Sequence, residues 1–196
     1  MTEVVVATKN ADKIPEIEAV LGALLPDLLV VRGLEWPDVD ETGATLEENA
    51  ILKARAAARA TGYPAIGDDT GLEVDSLDGA PGIHTARFAG PSASYAENRA
   101  ALLGALAGID DRSARFRTAA AFVIEGGMEI VVSGELAGVI TRRERGGGGF
   151  GYDSIFEVGG LTLAEMGEEA KNRISHRARA LAALAEALES STDGIS

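Results

Sequence analysis

Apolar and polar positions fall along this chain in two kinds of block: short continuous apolar runs, and longer stretches with a helical period. Val4-Val5-Val6-Ala7 is a four-residue apolar run, the mark of a buried strand. It passes through Thr8-Lys9-Asn10 into a helical pattern with apolar residues at Ile14, Ile17, Leu21 and Leu24. Leu28-Leu29-Val30-Val31 reads as a second strand. Thr45 to Thr61 predicts an alanine-rich helix, with Thr45 and Glu48 spaced for a capping box and Gly62 as its stop. Ala65-Ile66 starts a short buried strand that ends at Asp68-Asp69, before the alternating Leu72-Glu73-Val74-Asp75.

The glycine- and proline-rich segment from Gly79 to Pro91 predicts an ordered loop with one turn of helix. Ser94 to Leu106 predicts a helix. Ala114 to Glu125 and Met128 to Ile140 predict two long strands around Glu125-Gly126-Gly127, an antiparallel hairpin. Ile155 to Val158 predicts a short strand, and Ser175 to Leu188 a last helix with Ser175 at its N-cap. With no internal repeat and no long linker, residues 1–189 are expected to form a single domain, and 190–196 a frayed tail.

Composition narrows the function. Hydrophobic residues at 46% and charged residues at 25% describe an ordinary globular chain. A net charge of −13 argues against a nucleic-acid footprint, which needs a basic stripe. The absence of cysteine excludes disulfides, thiol nucleophiles and thiolate zinc sites. The N-terminus lacks a signal-peptide pattern and no apolar run has membrane-spanning length, so a soluble cytoplasmic protein is expected.

The chain carries four lysines against fourteen arginines, and the lysines sit in polar or carboxylate-bearing segments. Thr8-Lys9-Asn10-Ala11-Asp12-Lys13 lies between a strand and a helix, where free N–H groups and ammoniums suit phosphate oxygens. Read alone, the segment fits a capped helix with solvated lysines equally well. Asp68-Asp69, flanked by glycines, points two carboxylates at one spot and suits magnesium, with Glu41 as a second ligand; the alternative is a turn with two solvated aspartates. Glu48, Asn49 and Lys53 on the preceding helix would complete an acid–amide–ammonium site. The run Gly146 to Gly149 before Phe150-Gly151-Tyr152-Asp153 reads either as a tether or as a backbone that approaches a nucleobase beside a stacking ring. His84 and His176 are too few and too isolated for a metal cluster.

Four blocks, in order from residue 4 to about residue 180, resemble the inosine triphosphate pyrophosphatase family. They are Val6-Ala7-Thr8-Lys9-Asn10 with Lys13 and Glu16-Ile17; Thr45-Leu46-Glu47-Glu48-Asn49-Ala50 with Lys53-Ala54; Asp68-Asp69-Thr70-Gly71-Leu72 through Gly79-Ala80-Pro81-Gly82 and Ala86-Arg87-Phe88; and Gly148-Gly149-Phe150-Gly151-Tyr152-Asp153 with Lys171 and Ser175-His176-Arg177. The resemblance implies an α/β fold: a long twisted mixed sheet flanked by helices, split into two lobes around a central active-site cleft. It implies Mg2+-dependent hydrolysis of ITP, dITP or XTP to the monophosphate and pyrophosphate, by a cytoplasmic homodimer with no nucleic-acid or membrane partner.

By the same resemblance Thr8 to Lys13 hold the triphosphate, and Lys53 is a catalytic or phosphate-binding ammonium. Asp69 is general base and metal ligand, with Glu41 as the second ligand. Thr70 keeps the hydroxyl of a serine common in the family. Phe150, Gly151, Tyr152, Asp153, Lys171, His176 and Arg177 bind base and sugar, with Arg177 or nearby backbone N–H groups donating to a 6-keto oxygen. Two positions depart from the pattern: Ser154 stands where proline is usual, and Ala170 where an acid often precedes the lysine, a position expected at the surface. A related nucleotide pyrophosphatase of different base preference, or a non-catalytic nucleotide sensor, are the alternatives.

Overall fold

The computed structural model describes residues 2–193. Strand β1 (Thr2–Val6) leads into helix α1 (Lys13–Leu24), strand β2 (Leu28–Val30) and helix α2 (Leu46–Thr61). Strand β3 (Ala65–Val74) precedes a two-residue strand β4 (Pro81–Gly82) and helix α3 (Tyr95–Ala105). The long strands β5 (Ser113–Val123) and β6 (Glu129–Ile140) are followed by short β7 (Phe156–Val158) and β8 (Leu161–Thr162). Helices α4 (Glu168–Ile174) and α5 (His176–Asp193) close the described chain. Helix α5 thus takes in the first part of the expected frayed tail, and 194–196 lie outside the described residues.

The strands hydrogen-bond in the order β2-β1-β3-β5-β6-β7-β8, with β4 beside β3. Strand β1 is parallel to both β2 and β3, whereas β3–β4, β6–β7 and β7–β8 are antiparallel, so the sheet is mixed, as expected. The expected hairpin is present: the Ile124 N–H donates to Met128 at its tip, and the Ile140 N–H to Arg112 at its far end.

The chain divides into two compact units. Of the described residues, the first comprises 2–69, 118–134 and 176–193, and its core gathers Val4 and Val6 of β1, Ile17 and Leu21 of α1, Ile66, Phe122, and Leu181 and Leu184 of α5. Leu24, expected on the apolar face of α1, is instead 39% exposed. The second unit comprises 70–117 and 135–175, with a core that includes Leu72, Leu102, Phe116, Leu136, Tyr152 and Phe156.

Local chemistry explains most boundaries. Thr45 caps α2 by accepting from the Glu48 N–H, and Gly62 ends it at φ 74°, a left-handed angle that costs glycine nothing. The expected capping box is only half formed, because the Glu48 carboxylate accepts from the Ala44 N–H, one residue earlier than a box requires. A complete box occurs at α3, where Ser94 and Glu97 each accept from the other's N–H. Strand β3 corrects the sequence reading more seriously. It does not end at Asp68-Asp69 but runs through both to Val74.

Candidate active site

In the first unit, the parallel register Val5↔Ala65 and Val6↔Ile66 brings the carboxyl end of β1 beside the start of β3. The loop after Val6 therefore emerges next to Asp68 and Asp69. Ligands of open α/β sheets bind outside such strand ends. The loop is pinned by its own side chains. Thr8 Oγ1 accepts from the Asn10 N–H at 3.2 Å, and Asn10 Oδ1 accepts from the Asp12 N–H at 2.9 Å. Asp12 precedes α1 without capping it. Lys9 leans away toward Trp36: its ammonium donates to the Trp36 carbonyl at 2.9 Å and stands 4.8 Å from the indole centroid. Ala11 is exposed beside Asp12.

Helix α2 supplies the opposite wall, and Gly67 sets how close it comes. A Cβ at Gly67 would lie 2.3 Å from the Ala50 carbonyl oxygen and 2.9 Å from the Ala54 nitrogen, so only glycine permits this approach. That contact brings Asn49 and Lys53 onto Asp69. The Lys53 ammonium donates to Asp69 Oδ1 at 2.7 Å and to Glu41 Oε1 at 3.0 Å. Asn49, fully buried, donates from Nδ2 to Asp69 Oδ2 at 3.3 Å while its Oδ1 accepts from the Gly43 N–H at 2.9 Å. One amide thus ties the segment carrying Glu41 to the carboxylate it is expected to assist.

Because successive residues of a strand face opposite sides, Asp68 and Asp69 do not aim at one spot as their adjacency suggested. Asp68 accepts from Lys13 Nζ at 2.9 Å and from Arg177 Nε at 3.3 Å, and Arg177 Nη1 also donates to Glu16. This is a buried alternation of two carboxylates and two cations. Asp69 keeps separate company with Lys53 and Asn49.

The electrostatics separate the two acids further. Burial would raise the Asp68 carboxyl, but Lys13, Arg177 and Lys53 outweigh it and hold the group far below the usual carboxylate range. Burial raises the Asp69 carboxyl and Glu41 adds to the rise, only partly opposed by Lys53. Burial works against the charge on Lys53, yet Asp69, Asp68 and Glu41 together raise it. Lys13 is lowered by burial, and by Arg177 and Lys53, despite Asp68. The two neighbouring carboxyls are thus pushed in opposite directions by their surroundings.

The donor chemistry also fits a hard divalent cation. Glu41 and Asp69 offer carboxylate oxygen on either side of a point reached by one ammonium, and magnesium is held by one or two carboxylates, waters and substrate phosphates. Among the described residues no group of three or more His, Asp or Glu could hold a metal. His176 is buried at the start of α5, its Nδ1 2.6 Å from Thr118 Oγ1.

The second unit holds the remaining expected residues. Thr70 is half-buried in β3. The glycine run is no tether. Gly149 adopts φ 69°, and a Cβ there would meet the Asp153 carboxylate at 2.1 Å. Asp153 Oδ2 accepts from the Phe150 N–H at 2.9 Å and from buried Lys171 Nζ at 2.7 Å, and that ammonium lies 4.8 Å from the centroid of the Phe150 ring. Phe150 is half-buried, whereas Tyr152 turns inward and its hydroxyl donates to the Thr85 carbonyl at 2.8 Å. Gly151 accepts through its carbonyl from Arg99 Nη1 at 2.8 Å. Ala170 is exposed on α4, as expected of a surface position.

The sequence assigned no separate role to Asp68, and it missed helix α4, strand β8, Tyr95 and Arg99. The spacing of Lys13 and Glu16, three apart on one helix face, was the available signal for Asp68's surroundings. The Tyr95–Arg99 spacing of four was the signal on α3.

The Ham1 family model matches residues 4–187. The chain is 49% identical over 193 residues to the dITP/XTP pyrophosphatase of Geobacter sulfurreducens, covering 96% of this chain and 97% of that one. It is 49% identical over 191 residues to the dITP/XTP pyrophosphatase of Streptomyces coelicolor, covering 94% and 96%. Among solved structures, the Ham1 protein of Staphylococcus aureus superposes with a TM-score of 0.85 at 39% identity, covering 97% of this chain and all of that one.

Proposed function

Since the chain belongs to the Ham1 family, we propose that it hydrolyses non-standard purine nucleoside triphosphates, namely ITP, dITP and XTP, to the monophosphate and pyrophosphate. The observation that carries this reading is Lys53, whose ammonium bridges Asp69 and Glu41 beside the Lys13–Asp68 pair.

In this reading Thr8 to Lys13 bind the triphosphate through backbone N–H groups, a hydroxyl and two ammoniums. Lys53 stabilises charge that accumulates on the pyrophosphate leaving group. Asp69 accepts a proton from the water that attacks the α-phosphorus, and Asn49 fixes its orientation. Glu41 and Asp69 are the residues that would hold Mg2+, which supplies charge neutralisation on the phosphate oxygens when bound. Phosphoryl chemistry of this kind rests on positioning and electrostatics, and this donor set provides both.

Thr70, Phe150, Gly151, Tyr152, Asp153, Lys171, His176 and Arg177 form the nucleoside-binding set of the proposal. Phe150 offers the stacking face, held by Lys171 and Asp153. Arg177, oriented by Glu16 and Asp68, is the donor for a 6-keto oxygen, which adenine lacks. The proposal treats residues 1–189 as one catalytic domain, active as a cytoplasmic homodimer. No helix among the described residues is long and apolar enough to cross a membrane.

A panel of ITP, dITP, XTP, GTP, ATP and dTTP with Mg2+, scored for pyrophosphate release, tests the proposal. Preference for the first three is expected. Bound but uncleaved ITP would instead favour a nucleotide sensor.

A further inference from the structure

Phe150 does not stand alone in the second unit. Its ring meets that of Tyr95, with centroids 6.2 Å apart and planes inclined at 38°. Tyr95 is the first residue of α3 and is 39% exposed, so its ring borders solvent beside Phe150. The helix start is rigid, because the Ser94–Glu97 capping box fixes the turn that carries Tyr95. One turn further along α3, Arg99 donates from Nη1 to the Gly151 carbonyl at 2.8 Å and from Nε to Glu144 Oε2 at 2.9 Å. The same Glu144 oxygen accepts from Ser154 Oγ at 2.9 Å, and the Arg145 N–H donates to the Ser154 carbonyl at 2.8 Å.

These contacts close the loop from Glu144 to Ser154 at its base and fasten its tip to α3. The two anchoring residues of α3, Tyr95 and Arg99, are four apart and share one helix face. Ser154, the residue at which this chain departs from the usual proline, supplies the hydroxyl that joins the loop's two ends through Glu144. A proline has no side-chain donor and could not make that bond.

We propose that Tyr95 and Arg99 are positioning residues for purine recognition, Tyr95 backing the Phe150 ring and the Arg99–Glu144–Ser154 network fixing the Gly151 peptide. The inference rests on the reading of Phe150 as the stacking face for the base. Its consequence is that α3 acts on the base and not on the triphosphate, whose binding groups, Thr8 to Lys13 and Lys53, belong to the first unit. Loosening α3's hold on the loop weakens capture of any nucleotide with a purine and leaves the affinity for a bare polyphosphate in place.

The test uses the full chain with Mg2+. KM and kcat for ITP, and the inhibition constant of inorganic tripolyphosphate, are measured for wild type, Y95A, Y95F, R99A and S154A. Wild-type turnover of ITP establishes the underlying reading first; its absence would defeat that reading, not this one. Given turnover, Y95A and R99A should each raise KM for ITP by about tenfold, the scale of one lost base-stacking contact, with a smaller effect on kcat. Y95F, which keeps the ring, should restore the wild-type KM. S154A should raise KM by less than R99A, since it removes one bond of the network. Tripolyphosphate inhibition should stay within about twofold of wild type in every variant. An unaltered KM in Y95A and R99A overturns the proposal. So does a parallel loss of tripolyphosphate affinity, which would mean general disruption of the fold.

Discussion

Lys53 donates to Asp69 across 2.7 Å, from a helix that can come this close only because residue 67 is glycine. The ammonium and the carboxylate therefore hold each other at a site built by backbone packing, not by flexible side chains reaching through solvent.

Asp69→Asn keeps the size of the side chain but removes its charge and its basic oxygen. The expected loss in kcat is at least about 10²-fold, the scale of a general base or of a lost electrostatic group. Lys53→Arg should also be severely impaired, because a planar fork cannot take the place of a compact ammonium between two carboxylates. Steady-state kinetics on variants with wild-type thermal unfolding check both. Near-normal turnover removes the residue concerned from the catalytic set.

Proton affinity at Asp69 should respond to its neighbours with opposite signs. Burial and Glu41 raise it and Lys53 lowers it. In metal-free protein, Lys53→Gln should therefore push the Asp69 carboxyl further up, and Glu41→Gln should bring it down. Carbon-13 titration of the Asp69 carboxyl reads the shifts directly, and shifts of the same sign in both variants would contradict the assigned environment.

Asp68 serves stability. It is a buried anion held by Lys13 and Arg177, and removing its charge takes the carboxylate from Lys13 and leaves Arg177 with Glu16 alone. Asp68→Asn should cost about 3–5 kcal/mol, the usual penalty for breaking one partner out of a buried ionic group. Its folded-state affinity for a proton lies below the unfolded value, so its contribution is present above the ordinary carboxylate range and is lost as pH falls through the depressed value. Denaturant unfolding at neutral pH measures the difference. A variant as stable as wild type would show that the cluster carries no net stabilisation.

Gly67→Ala forces a methyl group to 2.3 Å from the Ala50 carbonyl. Overpacking of this kind typically costs about 1–3 kcal/mol and shifts backbone, here α2 with Asn49 and Lys53 on it. Activity should fall with stability, as unfolding and kinetic measurements on the one variant would reveal. Full activity with full stability would show that α2 does not need this approach to place Lys53.

Much of this arrangement was legible in the chain. Val4 to Ala7 announced a buried strand, Thr45 and Gly62 bounded α2 to the residue, and Asn49 and Lys53 of the second block meet Asp69 of the third. What failed has physical reasons. Two aspartates between Gly67 and Gly71 looked like the end of a strand, yet β3 continues through them, because Lys13, Arg177 and Lys53 compensate charges that would otherwise end a buried strand. That continuity sends Asp68 and Asp69 to different partners. Helix α4 is only seven residues long and has no side-chain cap, so its signal was weak. The Arg99 bond to Gly151 joins positions 52 apart and lies beyond any local pattern.

In the proposed reaction water attacks the α-phosphorus and pyrophosphate leaves intact. Hydrolysis of ITP in oxygen-18 water with Mg2+, followed by mass analysis of the products, tests it most directly. One labelled oxygen in the inosine monophosphate and unlabelled pyrophosphate are expected. Label in pyrophosphate or in free orthophosphate, or a diphosphate product, would contradict it.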